Sequence, residues 1–352
     1  LLIFIFSLSI TEVALRSILS IKHSKNPNAN YWYKTWYRYH EPSYVKFDRK
    51  LNYKPKQIDL RNIDRPRWKK NSNITINKNE FRSNDNNLIL NKDKRILTVG
   101  DSFTFGDQVS NNETWPSCLE KNTKIIVDNA GLSGYGTSQS VRRAMIESKK
   151  RKYDYLIWSI LFDDFDRDIV YSNLIIKNNK IEFNNFTKSN KNSDFNNKSF
   201  YDYFKEYSFV IYQIDEKIFK KFKNKIKQKN TKDKTPKINI DPNTLVDFLV
   251  SNFKDINIDK KFILLQYSDQ SNNIDISRKK KFKKNILKYK KIIIKAAKAK
   301  NIEVLDPLKS LAALPDSEKR KLWFDHHTHK GNLFISIFFE IHKSLHVKTL
   351  RL

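Results

Sequence analysis

Five short apolar runs, separated by segments with helical spacing, constrain this chain more than any other feature. They are Arg95–Gly100 (RILTVG), Lys124–Gly131 (KIIVDNAG), Tyr153–Phe162 (YDYLIWSILF), Lys260–Ser268 (KKFILLQYS) and Asn301–Asp306 (NIEVLD). Each is nearly continuous rather than alternating, the pattern of a strand buried on both faces. Helical spacing occupies Glu113–Lys121, Ser138–Lys150, Ile286–Lys300 and Gly331–His346. Strands alternating with helices predict a three-layer α/β/α sandwich around a mostly parallel five-stranded sheet, spanning residues 93–348.

Three other regions depart from that alternation. Residues 26–92 form an aromatic-rich extension in which Pro42, Pro55 and Pro66 argue against long helices, so an irregular segment packed on the later domain is expected. Residues 170–250 form a polar, Asn-rich insertion with a helix expected over Tyr207–Ile226; a lid and a solvated insert both fit. Residues 1–25 open LLIFIFSLSI, without Met. Ten uncharged residues fall short of the ~20 that span a bilayer, so the segment reads as the end of a transmembrane or signal-anchor helix. A packed amphipathic helix is the alternative. The first reading predicts a membrane-anchored protein on the exported side.

The formal net charge of +30 raises nucleic-acid binding, but the lysines are scattered among Asn, Ile, Phe and Tyr, as in AT-rich coding. The densest run, Arg278–Lys300, interleaves Ile286, Tyr289, Ile293 and Ala297, as a helix with a solvated lysine face does. No nucleic-acid partner is expected. Cys118 is the only cysteine, which excludes an intrachain disulfide and a thiolate metal cluster.

In a doubly wound sheet, ligands bind beyond the carboxyl ends of the strands. Ser102 follows the first run, Asn129–Gly136 (NAGLSGYG) the second, and Asp163 and Asp164 the third. The fourth ends at Gln266–Asp269, and the loop LWFDHHTHKGN precedes the last helix with three of the seven histidines. A hydroxyl, an imidazole and glycine-flanked backbone N–H groups on one edge are what ester hydrolysis needs. Taken singly, these residues also have plainer uses. Ser102 fits a helix cap, Asp101 a local backbone acceptor, Ser133 a turn residue, and the clustered histidines a zinc site.

Taken in order, GDSFTFG, NAGLSGYGT and HxTxxGN resemble the blocks of the GDSL/SGNH hydrolases, over roughly residues 45–345. The opening GDSFTFGDQVSNNETWP is similar to a bacterial subgroup with an N-terminal membrane anchor and an aromatic segment before the domain. The resemblance implies the SGNH, flavodoxin-like fold and Ser102 as nucleophile. It makes Gly134 an oxyanion donor and a histidine of the last block the base, with no metal or organic cofactor. Its implied substrates are small acyl esters, O-acyl groups on cell-surface glycans among them.

Two positions depart from the family pattern. Asp163 stands where the family carries an oxyanion Asn, and an ionised carboxylate there repels the developing charge. The spacing to Gly331 favours His326 as base, whereas the spacing from Asp325, the triad acid, favours His327; His326 is preferred. A serine esterase is therefore the first expectation. A non-catalytic SGNH-like module binding a glycan or partner at a membrane is the second, and a charge-driven polyanion binder the third.

Overall fold

The computed structural model describes residues 2–25, 44–63, 72–187, 210, 240–267, 276–322 and 331–336. It divides into two compact units. One comprises Leu1–Ser43, Arg65–Arg67 and Lys188–Lys237; the other comprises Tyr44–Asp64, Trp68–Thr187 and Ile238–Leu352.

The first unit contains helix α1 (Leu2–Lys25), 24 residues long, on which Glu12 and Arg16 pair at 2.6 Å across one turn. Ile10, Val13, Ile18 and Ile21 are exposed along it. Among the described residues no helix is long and apolar enough to cross a membrane. The helix runs on past Arg16, where the apolar stretch was expected to stop, and carries the charged pair at its middle.

The second unit opens with two antiparallel hairpins, β1 (Val45–Asp48) with β2 (Asn52–Pro55) and β3 (Ile58–Ile63) with β4 (Ser72–Ile76). The extension is thus partly regular. Its strands are four to six residues long, too short for their alternation to stand out, although Ser72, Ile74 and Ile76 all point inward. Asp48 makes the first turn by accepting from Lys50 N and Leu51 N at 2.8 and 2.9 Å.

The core follows as β5 (Asn91–Val99), α2 (Ser102–Phe105), α3 (Trp115–Thr123), β6 (Ile125–Asn129), α4 (Thr137–Ser148), β7 (Tyr155–Leu161) and α5 (Asp164–Val170). A hairpin of β8 (Leu174–Lys177) and β9 (Lys180–Phe183) begins the expected insertion. Then come α6 (Pro242–Lys254), β10 (Lys260–Gln266), α7 (Ile276–Ala299), β11 (Glu303–Leu305), α8 (Leu308–Ala313) and α9 (Asp316–Leu322). Residues 331–336 are helical. Helix α6 starts inside the span assigned to the insertion. Asp241 caps it, accepting from Thr244 N at 3.0 Å, and Pro242 starts it. Its buried face, Leu245, Val246, Leu249, Val250 and Phe253, makes it the crossover helix between β7 and β10. The helix expected over Tyr207–Ile226 lies outside the described residues except at Val210.

The five core strands are all parallel, in the order β11-β10-β7-β5-β6. Alternate side chains feed two hydrophobic cores. Leu97, Val99, Leu156, Trp158, Ile263 and Leu265 join α4, α6 and α7 on one face. Ile96, Tyr155, Ile157, Phe262 and Leu264 join Trp115 and Leu119 of α3 and Ile335 on the other. Helix α7 buries Asn285, Tyr289, Ile293 and Ala297 at four-residue spacing and leaves lysines such as Lys284, Lys288 and Lys291 in solvent. Cys118 is buried among α3 side chains, and burial pushes its thiol up to about 11, which makes it inert.

This strand order has one switch point. The chain leaves β5 towards β6 on one side, then returns to build β7, β10 and β11 on the other. In sheets of this kind ligands bind at that point, beyond the carboxyl ends of the strands, and here the loops that follow β5 and β7 carry Ser102 and Asp163.

Candidate active site

Ser102 is the first residue of α2, and the cap is its neighbour: Asp101 Oδ1 accepts from Phe103 N at 3.0 Å. The hydroxyl of Ser102 is therefore not spent on capping. It donates to Asp101 Oδ2 at 3.2 Å, and Ser102 is 5% exposed. The turn is held from below. Asn129, at the end of β6, donates its amide to Thr104 O at 2.9 Å, and its Oδ1 accepts from Gly131 N at 3.1 Å. A Cβ on Gly131 would meet Phe105 N at 2.7 Å, and one on Gly100 would lie 3.0 Å from Ser159 O. Glycine at these two positions lets three strand ends come together.

The buried guanidinium of Arg82 clamps the far side of the turn. It donates to Asn111 Oδ1 (2.7 Å), Val109 O (2.8 Å), Asn73 O (3.2 Å) and Gly106 O (3.4 Å), and it lies 4.8 Å from the centre of the Phe105 ring. Arg82 thus ties β4 to the loop that leaves α2.

The loop after β6 brings Gly134 to the same edge. Leu132 N donates to Gly100 O at 3.1 Å, and Ser133 Oγ donates to Asp107. Gly134 has φ +82°, a conformation that favours glycine. Tyr135 N and Gly136 N donate to Leu132 O (3.2 Å) and Gln139 Oε1 (2.9 Å), whereas the Gly134 N–H has no hydrogen-bond partner among the described residues. An unpartnered N–H between committed neighbours is a donor held ready for a ligand.

Sequence reasoning missed Arg167, on α5. Its Nη1 donates to Asp164 Oδ1 (2.5 Å), Tyr135 O (3.0 Å) and Asp101 Oδ2 (3.4 Å), joining the loops after β5, β6 and β7. Burial, and then the charge of Asp101, push the Asp164 carboxyl well above the usual range, although Arg167 opposes both. Burial also disfavours the Arg167 charge, but Asp164 and Asp101 outweigh it and push the guanidinium further up. The only hint in the sequence was the three-residue spacing of Asp164 and Arg167, which puts both on one helical face.

Asp163 begins α5, and its Oδ1 accepts from Asn285 Nδ2 of α7 at 2.9 Å. Gln266, at the end of β10, is fully buried, and neither polar atom of its amide has a partner among the described residues. Ser102, Asp101 and Gly134 thus share one edge, laced together by Arg167. Asp325, His326 and His327 lie outside the described residues. Among the described residues no group of three or more His, Cys, Asp and Glu side chains could hold a metal ion.

No family model and no curated protein matches the chain. Solved structures do. They include a lipase/acylhydrolase from Enterococcus faecalis, at 14% identity and a TM-score of 0.43, covering 74% of this chain and 100% of that one. Another is an acetyl xylan esterase from Geobacillus stearothermophilus, at 14% identity and a TM-score of 0.39, covering 75% and 100% respectively. At these values the likeness carries no argument about activity.

Beneath the Gly134 loop, Asp168 caps the start of α4. It accepts from Ser138 N (3.0 Å), Ser138 Oγ (2.5 Å), Thr137 Oγ1 and Asn173 Nδ2 (3.3 Å). Burial outweighs these bonds and pushes its carboxyl from 3.8 up to about 6. The unfolded chain therefore loses this proton first as pH rises, and stability falls between about pH 4 and pH 6. Urea midpoints across that window are expected to decline in the native protein and to decline less in Asp168→Asn. An identical decline in both would assign the titration elsewhere.

Proposed function

We propose that the chain is a serine ester hydrolase of the GDSL/SGNH type. The observation that carries this reading is that one edge of a parallel sheet holds both the Ser102 hydroxyl, which leaves helix capping to Asp101, and a Gly134 N–H with no hydrogen-bond partner among the described residues. The ordered motifs around Ser102, Gly134 and the HHTHKGN loop support it.

In the proposed reaction, Ser102 Oγ attacks the acyl carbonyl carbon while His326, or His327 in its place, takes the hydroxyl proton. Asp325 orients the imidazole. The carbonyl oxygen becomes an oxyanion, which the backbone N–H groups of Gly134 and Ser102 stabilise. The bond to the alcohol then breaks, and the alkoxide leaves with the proton held by the imidazolium. Water repeats the sequence on the acyl-enzyme, releasing the acid and restoring Ser102. The chemistry needs no metal or organic cofactor. The family resemblance extends the proposal to O-acyl groups on cell-surface glycans, with the protein acting on the exported side.

Asp163 favours a second reading, a non-catalytic SGNH-like binding module. A carboxylate at the position of an amide donor withholds one hydrogen bond from the oxyanion and sets a negative charge beside it. Losing one such donor costs about 2.7–4 kcal/mol of transition-state stabilisation.

Hydrolysis of p-nitrophenyl acetate separates the two readings. The catalytic reading expects Ser102→Ala to lower kcat by roughly 1,000-fold or more. Equal rates in the native protein and the variant would leave only the binding module. Asp163→Asn keeps an oxygen for Asn285 and adds an N–H donor, so it is expected to raise kcat by about 10-fold or more. An unchanged or lower kcat would remove Asp163 from the oxyanion site.

A further inference from the structure

We infer that Tyr53, from the N-terminal hairpin, is a positioning residue for the oxyanion donor. This rests on the esterase reading above and adds a residue that no motif contains. The Tyr53 hydroxyl donates to Ser133 O at 3.2 Å, and a Cβ on Gly134 would lie 2.9 Å from the same hydroxyl. The phenol therefore touches the one peptide unit that links Ser133 to Gly134.

That unit is planar and trans, so its C=O and N–H point in opposite directions. Holding the Ser133 carbonyl on one side fixes the direction of the Gly134 N–H on the other. Positive φ at Gly134 gives this peptide room to rotate, because glycine occupies several backbone wells at similar cost. A donor free to swing must be reorganised during the reaction, whereas a clamped one is preorganised. Tyr53 is the clamp.

The clamp is itself well held. Tyr135 Oη donates to Tyr53 O at 3.0 Å, and the two rings lie 5.4 Å apart. Tyr53 pairs with Phe47 across the hairpin, and the hairpin's own turn is tied to α4 by Gln139 Nε2 donating to Leu51 O at 2.7 Å. Burial pushes the Tyr53 phenol up, so the hydroxyl keeps its proton and remains a donor at any working pH. The hairpin is thus part of the catalytic apparatus rather than a cover for the sheet.

The test compares Tyr53→Phe with Tyr153→Phe in the full chain. Tyr153→Phe also removes a buried hydroxyl, one that donates to Asp128 (2.9 Å) from just before β7, at the opposite end of that strand from Asp163. Both variants should lose similar stability in urea. Only Tyr53→Phe is expected to lower kcat and kcat/KM together, by roughly 10- to 100-fold with KM unchanged, the signature of an interaction realised in the transition state. A kcat within twofold of native, or an equal loss in Tyr153→Phe, would overturn the inference while Ser102-dependent activity stands. A readout free of turnover is available because the chain has only six glycines. In protein labelled with 15N-glycine, the Gly134 amide resonance is expected to shift and broaden in Tyr53→Phe. An unmoved, sharp resonance would overturn the inference whether or not the protein is an esterase.

Discussion

One hydrogen bond, 2.9 Å from the Asn129 amide to the Thr104 carbonyl, joins the turn that bears Ser102 to the end of the neighbouring strand. The site depends on this contact. A parallel sheet brings strand ends to one edge, but it does not hold the loops beyond them. Asn129 does so with both ends of its amide, binding Thr104 O and Gly131 N, and Gly100 and Gly131 remove the side chains that would keep the loops apart. The hydroxyl and the candidate oxyanion donor come from residues 102 and 134. Their two loops are held together by close backbone approach rather than by packing of large side chains.

Charge then organises what the backbone assembles. Asp101 divides its carboxylate between two tasks: Oδ1 caps α2, and Oδ2 receives the Ser102 hydroxyl and Arg167. Arg167 in turn directs a single nitrogen at Asp101, Asp164 and the Tyr135 carbonyl. Burial and the charge of Asp101 drive Asp164 towards its neutral form, against the pull of Arg167. The cluster links the loops after β5, β6 and β7. On the other side Arg82 does comparable work with neutral acceptors, its guanidinium shared among one amide and three carbonyl oxygens.

Much of this was legible in the sequence, and the rest was hidden for identifiable reasons. The five core strands could be read because strands buried on both faces leave continuous apolar runs, as Tyr155–Leu161 does. Ser102 and Gly134 stood out because special backbone geometry demands a short signature of small residues. Helix α6 was lost in its polar surroundings, although Asp241-Pro242 is a recognisable helix start. Tyr53, and all of Arg167's role but its spacing from Asp164, were hidden for a different reason. Their roles come from partners 80 and 66 residues away, and no local pattern encodes such a meeting. The hairpins of the extension were read as irregular because five residues show too few alternations to separate a strand from a loop.

The central claim is that Ser102 is an activated nucleophile at the switch point of the sheet. Its most direct test is treatment of the native protein with a fluorophosphonate, followed by mass spectrometry of the modified peptides. The account predicts one phosphonyl adduct, on Ser102, formed at neutral pH and suppressed when the imidazole base is protonated in acid. An unmodified Ser102 beside a folded core, or an adduct carried by a different serine, would contradict it.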